Sequence, residues 1–258
     1  MKRLEKSPSS PFSGKPRLIF HGAHHKMGTV WMMRVLENVS QRFGLNLQKC
    51  NRVGDTPENT THVLFANHSQ FDVHQLGDFI GSHMVRDPRD AIVSGYFYHL
   101  WTDEAWAHAP QTSLSGLSYQ AHLQSLAQPQ GLHAEIERFA QYVLDYGLDQ
   151  WNYSNLRVLE MKYENLIADE ETGFAELFSH YGFDDEAIAT SLEIAQTFSF
   201  TRIAKRKLGK SCEGKHLRSG VPGQWRTVLL EEHCDAIKRR FGNLLIKMGY
   251  ETNSNWNK

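Results

Sequence analysis

At 258 residues the chain is long for one domain and short for two, so a single α/β domain is the default expectation. Hydrophobic residues make up 40% of it, enough for a sizeable core. Lys plus Arg number 28 against 29 Asp plus Glu, which excludes a bulk charge that would draw the chain onto nucleic acid or an anionic membrane. Any anion site must therefore come from local placement of cations. Cys50, Cys212 and Cys234 are odd in number and far apart. That is neither a disulfide framework nor a metal-binding pair, and it fits a reducing, cytoplasmic setting. No apolar run approaches the roughly 18 residues of a membrane span.

In chain order, residues 1–16 ("MKRLEKSPSSPFSGKP") are rich in Ser, Pro and Gly and read as a flexible lead-in; 17–258 is expected to be one domain. "PRLIFHG" (16–22) is a short apolar run ending in a glycine turn, a buried strand. Beyond it stands Lys26-Met27-Gly28-Thr29, and then Met32, Val35, Leu36, Val39 and Phe43 fall on one helical stripe closed by Gly44. Strand, glycine turn and helix are the parts of a phosphate-binding loop. The backbone N–H groups at residues 27–30 would face an oxyanion, with the helix dipole behind them. In a nucleotide triphosphatase, however, the lysine follows the glycine; here it precedes it. The other reading is an ordinary turn with a surface lysine.

"HVLFANH" (62–68), "SHMVR" (82–86) and "LRVLEMKYE" (156–164) read as further core strands, each ending in polar residues. Helical patterns lie between and after them. One carries Ala91, Ile92, Gly95 and Tyr96, another Ile136, Phe139, Ala140 and Val143, and a third Ile237, Phe241, Leu244, Leu245 and Met248. The expected architecture is an α/β, three-layer, P-loop-like fold with a central parallel sheet and helices on both faces. Ligands in such sheets bind beyond the carboxyl ends of the strands, where Lys26, His68, Arg86 and Tyr163 stand.

Arg86 ends a strand, Pro88 opens a helix, and Ser94 follows two turns on. Arg offers a fork for phosphate and Ser a hydroxyl; the plainer reading of Arg86–Asp87 and Arg89–Asp90 is surface ion pairs. "LRSGVPGQWRTVL" (217–229) is a cationic, glycine-containing stretch that also reads as a surface loop.

Taken together, these segments resemble the cytosolic-type sulfotransferases that use 3′-phosphoadenosine-5′-phosphosulfate (PAPS). "HHKMGTVW" looks like their 5′-phosphosulfate loop, "VRDPRDAIVSGYFYH" their 3′-phosphate motif and "RSGVPGQW" their C-terminal Arg-x-Gly-x-x-Gly-x-Trp loop. "VLEMKYENL" resembles the strand leading to an adenine-contacting tyrosine, and "FSFTRI" an adenine-pocket segment. The likeness runs in order from about residue 17 to 250.

The resemblance implies that the loop holds a phosphosulfate and that no metal is called for. Lys26 would contact the oxygen bridging phosphate and sulfate, with Gly28, Thr29 and Val30 giving loop amides and Thr29 also a hydroxyl. Trp31, Tyr163, Phe200 and Ser199 would serve the adenine. Arg86, Ser94, Arg218, Ser219 and Gly220 would bind the 3′-phosphate. Lys26, His68 and Ser94 form the expected catalytic set, with His68 as general base. His24, His25, His74 and His99 are the other candidates for that base.

The sequence departs from the pattern in having His25 for proline, Met27 for a small residue and Ser219 for lysine. The family's dimer-forming stretch is not present as such, so the oligomeric state stays open. The expected acceptor is a small-molecule hydroxyl or amine, walled by residues 68–80 and 97–134, including Phe71, Trp101, Trp106, His108 and Tyr119. Asp103 and Glu104 hint at a polar or cationic acceptor, or mark a solvated helix end. Residues 116–139 resemble a segment of bacterial members. A P-loop kinase and a non-catalytic nucleotide-binding module are the alternatives.

Overall fold

The structure, a computed structural model, describes residues 10–50, 55–68, 73–199, 202 and 220–256. They belong to two compact units, Met1–Val85 with Ser154–Ile203 and Arg86–Tyr153 with Ala204–Lys258.

The first unit holds a five-stranded sheet made of β1 (Leu18–Ala23), β2 (Leu47–Cys50), β3 (Val63–Asn67), β4 (Phe79–Val85) and β5 (Val158–Lys162). The order is β2-β3-β1-β4-β5 and every pairing is parallel. The central strands β1 and β4 are buried almost throughout, which is why they read as unbroken core runs. The sequence reading missed β2: it is a short edge strand, half-buried, and "LQKC" shows no apolar run. The expected strand at 156–164 stops at Lys162, and Tyr163 opens a helix instead.

Helix α1 (Thr29–Phe43) buries the expected stripe of Met32, Val35, Leu36, Val39 and Phe43, and Gly44 closes it at φ 65°. It packs with Ile19, Phe65, Met84 and Met161 of the sheet, and with Phe174, Leu177 and Phe178. Each such side chain contributes about 1.5–3 kcal/mol on burial. The last three residues belong to α7 (Glu170–His180), which follows α6 (Tyr163–Ala168) and precedes α8 (Asp185–Thr197). The Asp169 and Asp184 carboxylates cap α7 and α8. Within the expected lead-in, Phe12 packs edge-on against Phe183, and Ser13 N–H donates to Gly182 C=O.

The second unit contains α2 (Pro88–His99), α3 (Ala105–His108), α4 (Tyr119–Ser125), α5 (Gln128–Asp145), α9 (Trp225–Val228) and α10 (Glu231–Lys247). Asp87 caps α2, with Pro88 in its first turn as expected. The stripes of α5 and α10 bury Ile136, Phe139 and Val143 against the side of the chain that buries Ile237, Phe241 and Leu244, and the Phe139 and Phe241 rings lie 5.2 Å apart. Among the described residues no helix is long and apolar enough to cross a membrane.

Candidate active site

In the first unit the loop after β1 has the form expected of an anion cradle. Gly28 is the N-cap of α1 at φ 92°, no side chain caps the helix, and its first turn carries no acidic residue. Helix geometry leaves the N–H groups of Gly28, Thr29, Val30 and Trp31 without a carbonyl inside the helix; the first to find one is Met32, which donates to Gly28 C=O at 3.1 Å. Val30, in that open turn, is 41% exposed. Met27 is fully buried beneath the loop, so the larger residue at this position serves the core.

Two details of the loop were not legible in the sequence. The Thr29 hydroxyl donates to His24 C=O, so toward an oxyanion Thr29 offers its N–H. Lys26 adopts φ 63° and His68 φ 64°. Among the described residues only one other non-glycine, Ser115, has such a backbone. Left-handed backbone costs a residue with a Cβ roughly 1–2 kcal/mol and collects at functional positions. Lys26 follows β1 and His68 follows β3, the neighbouring strand, with Ala23 and Asn67 in register. The strain therefore falls on the lysine and histidine nominated from sequence.

Trp31 is half-buried, with Tyr163 and Phe174 edge-on to its ring at 6.3 and 5.5 Å. Tyr163 also packs over Gly28. Gly28, Trp31 and Tyr163 are thus brought together. Ser199 lies just past the end of α8, while Phe200 lies outside the described residues.

Behind the loop the sheet is polar. His24 Nε2 meets His83 Nε2 at 2.9 Å, and His83 Nδ1 meets Glu160 Oε2 at 2.8 Å. One residue pair deeper, His21 Nδ1 bonds Ser82 Oγ at 2.7 Å, which bonds Tyr181 OH at 2.6 Å. Burial, helped by His83, lowers the His21 pKa to about 3. Burial, then His83 and His68, hold His24 well below the ordinary histidine value. Both are neutral imidazoles at neutral pH. The sequence placed His24 among the alternative bases and gave no role to His83 or Glu160.

In the second unit Arg86, Asp87, Arg89 and Asp90 are all buried, so solvated surface pairs do not describe them. Arg89 grips Asp87 with two nitrogens and Glu251 with a third, and its guanidinium lies against both the Trp225 ring, at 3.9 Å, and the Trp256 ring, at 4.6 Å. Asp90 accepts from the N–H groups of Gly223 and Trp225. Burial raises its pKa, and the nearby Arg86 opposes that rise. These bonds fix the end of the Gly220–Trp225 loop against α2, and they give Trp225 a structural task. Gly220 has φ 73°; Arg218 and Ser219 lie outside the described residues. Ser94 is half-buried on α2.

The expected acceptor walls are more internally committed than the sequence suggested. Glu104 accepts from Tyr98 OH and Trp106 Nε1, and His108 bonds Thr102 C=O. Glu135 takes His99 Nδ1 and Tyr119 OH, with His99 fully buried between Trp106 and Tyr119. Phe71 lies outside the described residues. Among the described residues His133, Glu232 and His233 could group around a cation. His233, however, engages Leu230 N–H and Pro129 C=O with its two ring nitrogens and has none left for a metal.

The family model for the sulfotransferase domain matches residues 83–249, well over half of the chain. The chain belongs to that family and is a sulfotransferase. That decides the class against the kinase and non-catalytic alternatives. Among solved structures it is similar to mouse sulfotransferase SULT7A1 complexed with PAP, at 16% identity, with 91% of this chain and 86% of that one covered and a TM-score of 0.58. It is also similar to retinol dehydratase with androsterone and inactive cofactor PAP, at 12% identity, 91% and 82% coverage and a TM-score of 0.54. A retinol dehydratase complex with retinol and PAP gives 13%, 91%, 82% and 0.55. These are likenesses of fold. No curated protein sequence matches.

Proposed function

We propose that the protein transfers the sulfuryl group of PAPS to a hydroxyl or amine of a small molecule, releasing adenosine 3′,5′-bisphosphate. The observation that carries this is the uncapped start of α1, with a left-handed Gly28 and Lys26 at its mouth. Solved relatives in fold bound to PAP support the donor.

In this reading the N–H groups of Gly28, Thr29 and Val30 hold the 5′-phosphosulfate, and Lys26 neutralises charge growing on the bridging oxygen as its bond to sulfur breaks. The acceptor oxygen or nitrogen forms the new bond to sulfur in line, and His68 takes its proton. Arg86 and Ser94, with Arg218, Ser219 and Gly220, bind the 3′-phosphate. Trp31 and Tyr163, with Ser199 and Phe200, serve the adenine. Cys50 and Cys234, buried and in no disulfide among the described residues, support a cytoplasmic setting, and the near-zero net charge supports the absence of a nucleic-acid partner.

The test is a screen of hydroxyl and amine compounds with PAPS, read by mass spectrometry for an added sulfate. Thermal unfolding should also shift upward with adenosine 3′,5′-bisphosphate in the presence of a chelator. No binding of that nucleotide would overturn the donor assignment.

A further inference from the structure

His24, His83 and Glu160 come from three separate parts of the chain, and parallel pairing brings them into line. His83 on β4 is in register with Gly22 on β1 and with Glu160 on β5. Side chains alternate along a strand, so His24, two residues past Gly22, shares that face. The resulting line runs Glu160 Oε2, His83 Nδ1 and Nε2, then His24 Nε2, with steps of 2.8 and 2.9 Å. His83 and His24 are buried, and the Glu160 side chain keeps 24% of its exposure at the outer end.

Both steps of the line are hydrogen bonds. The Glu160 carboxylate accepts, so His83 carries its proton on Nδ1. At its other nitrogen, Nε2, His83 shares a single proton with His24 Nε2. This fixes the ring orientation of His24. The His24 carbonyl in turn accepts from Met27 N–H at 3.1 Å and from the Thr29 hydroxyl. Residue 24 is thus held at its ring by the sheet, and it holds the loop by its carbonyl. Between its two carbonyl partners and itself lies Lys26, whose left-handed backbone does not persist without such support.

We propose that Glu160 is a positioning residue for the 5′-phosphate loop, acting through His83 and His24 to hold the turn that carries Lys26 and opens α1. The inference rests on the reading of that loop given above. It makes a remote carboxylate an aid to anion binding, because its effect arrives as loop geometry.

The test compares calorimetric affinities for adenosine 3′,5′-bisphosphate and adenosine 3′-phosphate, which lacks the 5′ group. In Glu160→Leu the advantage of the bisphosphate should shrink about tenfold, the scale of one charged hydrogen bond, while 3′-phosphate affinity stays put. Glu160→Gln keeps an acceptor oxygen and should stay within about threefold of wild type. His24→Phe keeps ring volume without the nitrogen and should lose as much as Glu160→Leu, and the double variant no more than either. Equal losses for both nucleotides, or an intact advantage in Glu160→Leu, overturn the inference. If Glu160→Leu does not fold, His24→Phe decides by the same comparison. Wild-type protein that binds the two nucleotides equally overturns the loop reading itself and this inference with it.

Discussion

Gly28 approaches Met84 so closely that a Cβ on the glycine would stand 2.7 Å from the Met84 sulfur. Its φ of 92° disfavours any side chain independently. Gly28→Ala should therefore destabilise the fold by about 1–2 kcal/mol. Because the residue caps α1 at the proposed anion site, adenosine 3′,5′-bisphosphate should also bind at least about tenfold more weakly. Denaturant unfolding and calorimetry on the same preparation check both; unchanged affinity would remove Gly28 from the site.

Lys26→Ala removes a charge while leaving Met27 N–H and Thr29 bonded to His24. Turnover at saturating donor should fall by about 10²–10³, the loss typical of one preorganised donor to a leaving group. The unfolding midpoint should not move. Turnover above about a tenth of wild type would refute the role.

Arg86 is assigned to the 3′-phosphate. Arg86→Ala should weaken adenosine 3′,5′-bisphosphate by about 1.5–3 kcal/mol and barely change adenosine 5′-phosphosulfate, which lacks that group. Calorimetry giving equal losses for both ligands would sink the assignment.

His68 as base makes the rate rise with pH as the ring loses its proton, since only the neutral ring accepts one. His68→Asn should cut turnover about 10²–10⁴-fold and abolish that limb, with donor affinity little changed. A variant with wild-type turnover would move the role elsewhere. His99, fully buried and bonded to Glu135, is a poor substitute in this structure.

His21, with its pKa lowered to about 3, links stability to pH. Its folded value lies below the unfolded 6.5, so on acidification the unfolded chain takes up the proton first. Stability is full above about pH 6.5 and drains as pH falls toward 3. Between pH 7 and 5 this one group accounts for about 2 kcal/mol. His21→Leu, which leaves Ser82 bonded to Tyr181, should flatten the pH dependence by that amount. Urea melts at the two pH values measure it; an unchanged slope would show that His21 is not the source.

Much of the fold was written locally. The stripe from Met32 to Phe43, the apolar runs of β1, β3 and β4, and Pro88 after Arg86 are patterns of neighbours in sequence, and each formed as its spacing required. The placement of Lys26, Gly28 and Trp31 was legible for the same reason: a strand, a turn and a helix start fit within a dozen residues. The tertiary structure decided what depends on distant partners. Asp87 and Arg89 looked like half of two surface pairs until Glu251, Trp225 and Trp256 enclosed the guanidinium. His83 and Glu160 carried no local signal, because their meaning is a register between β4 and β5. A periodicity says which face a residue takes; only the pairing of strands, set by burial of the whole sheet, says what stands beside it.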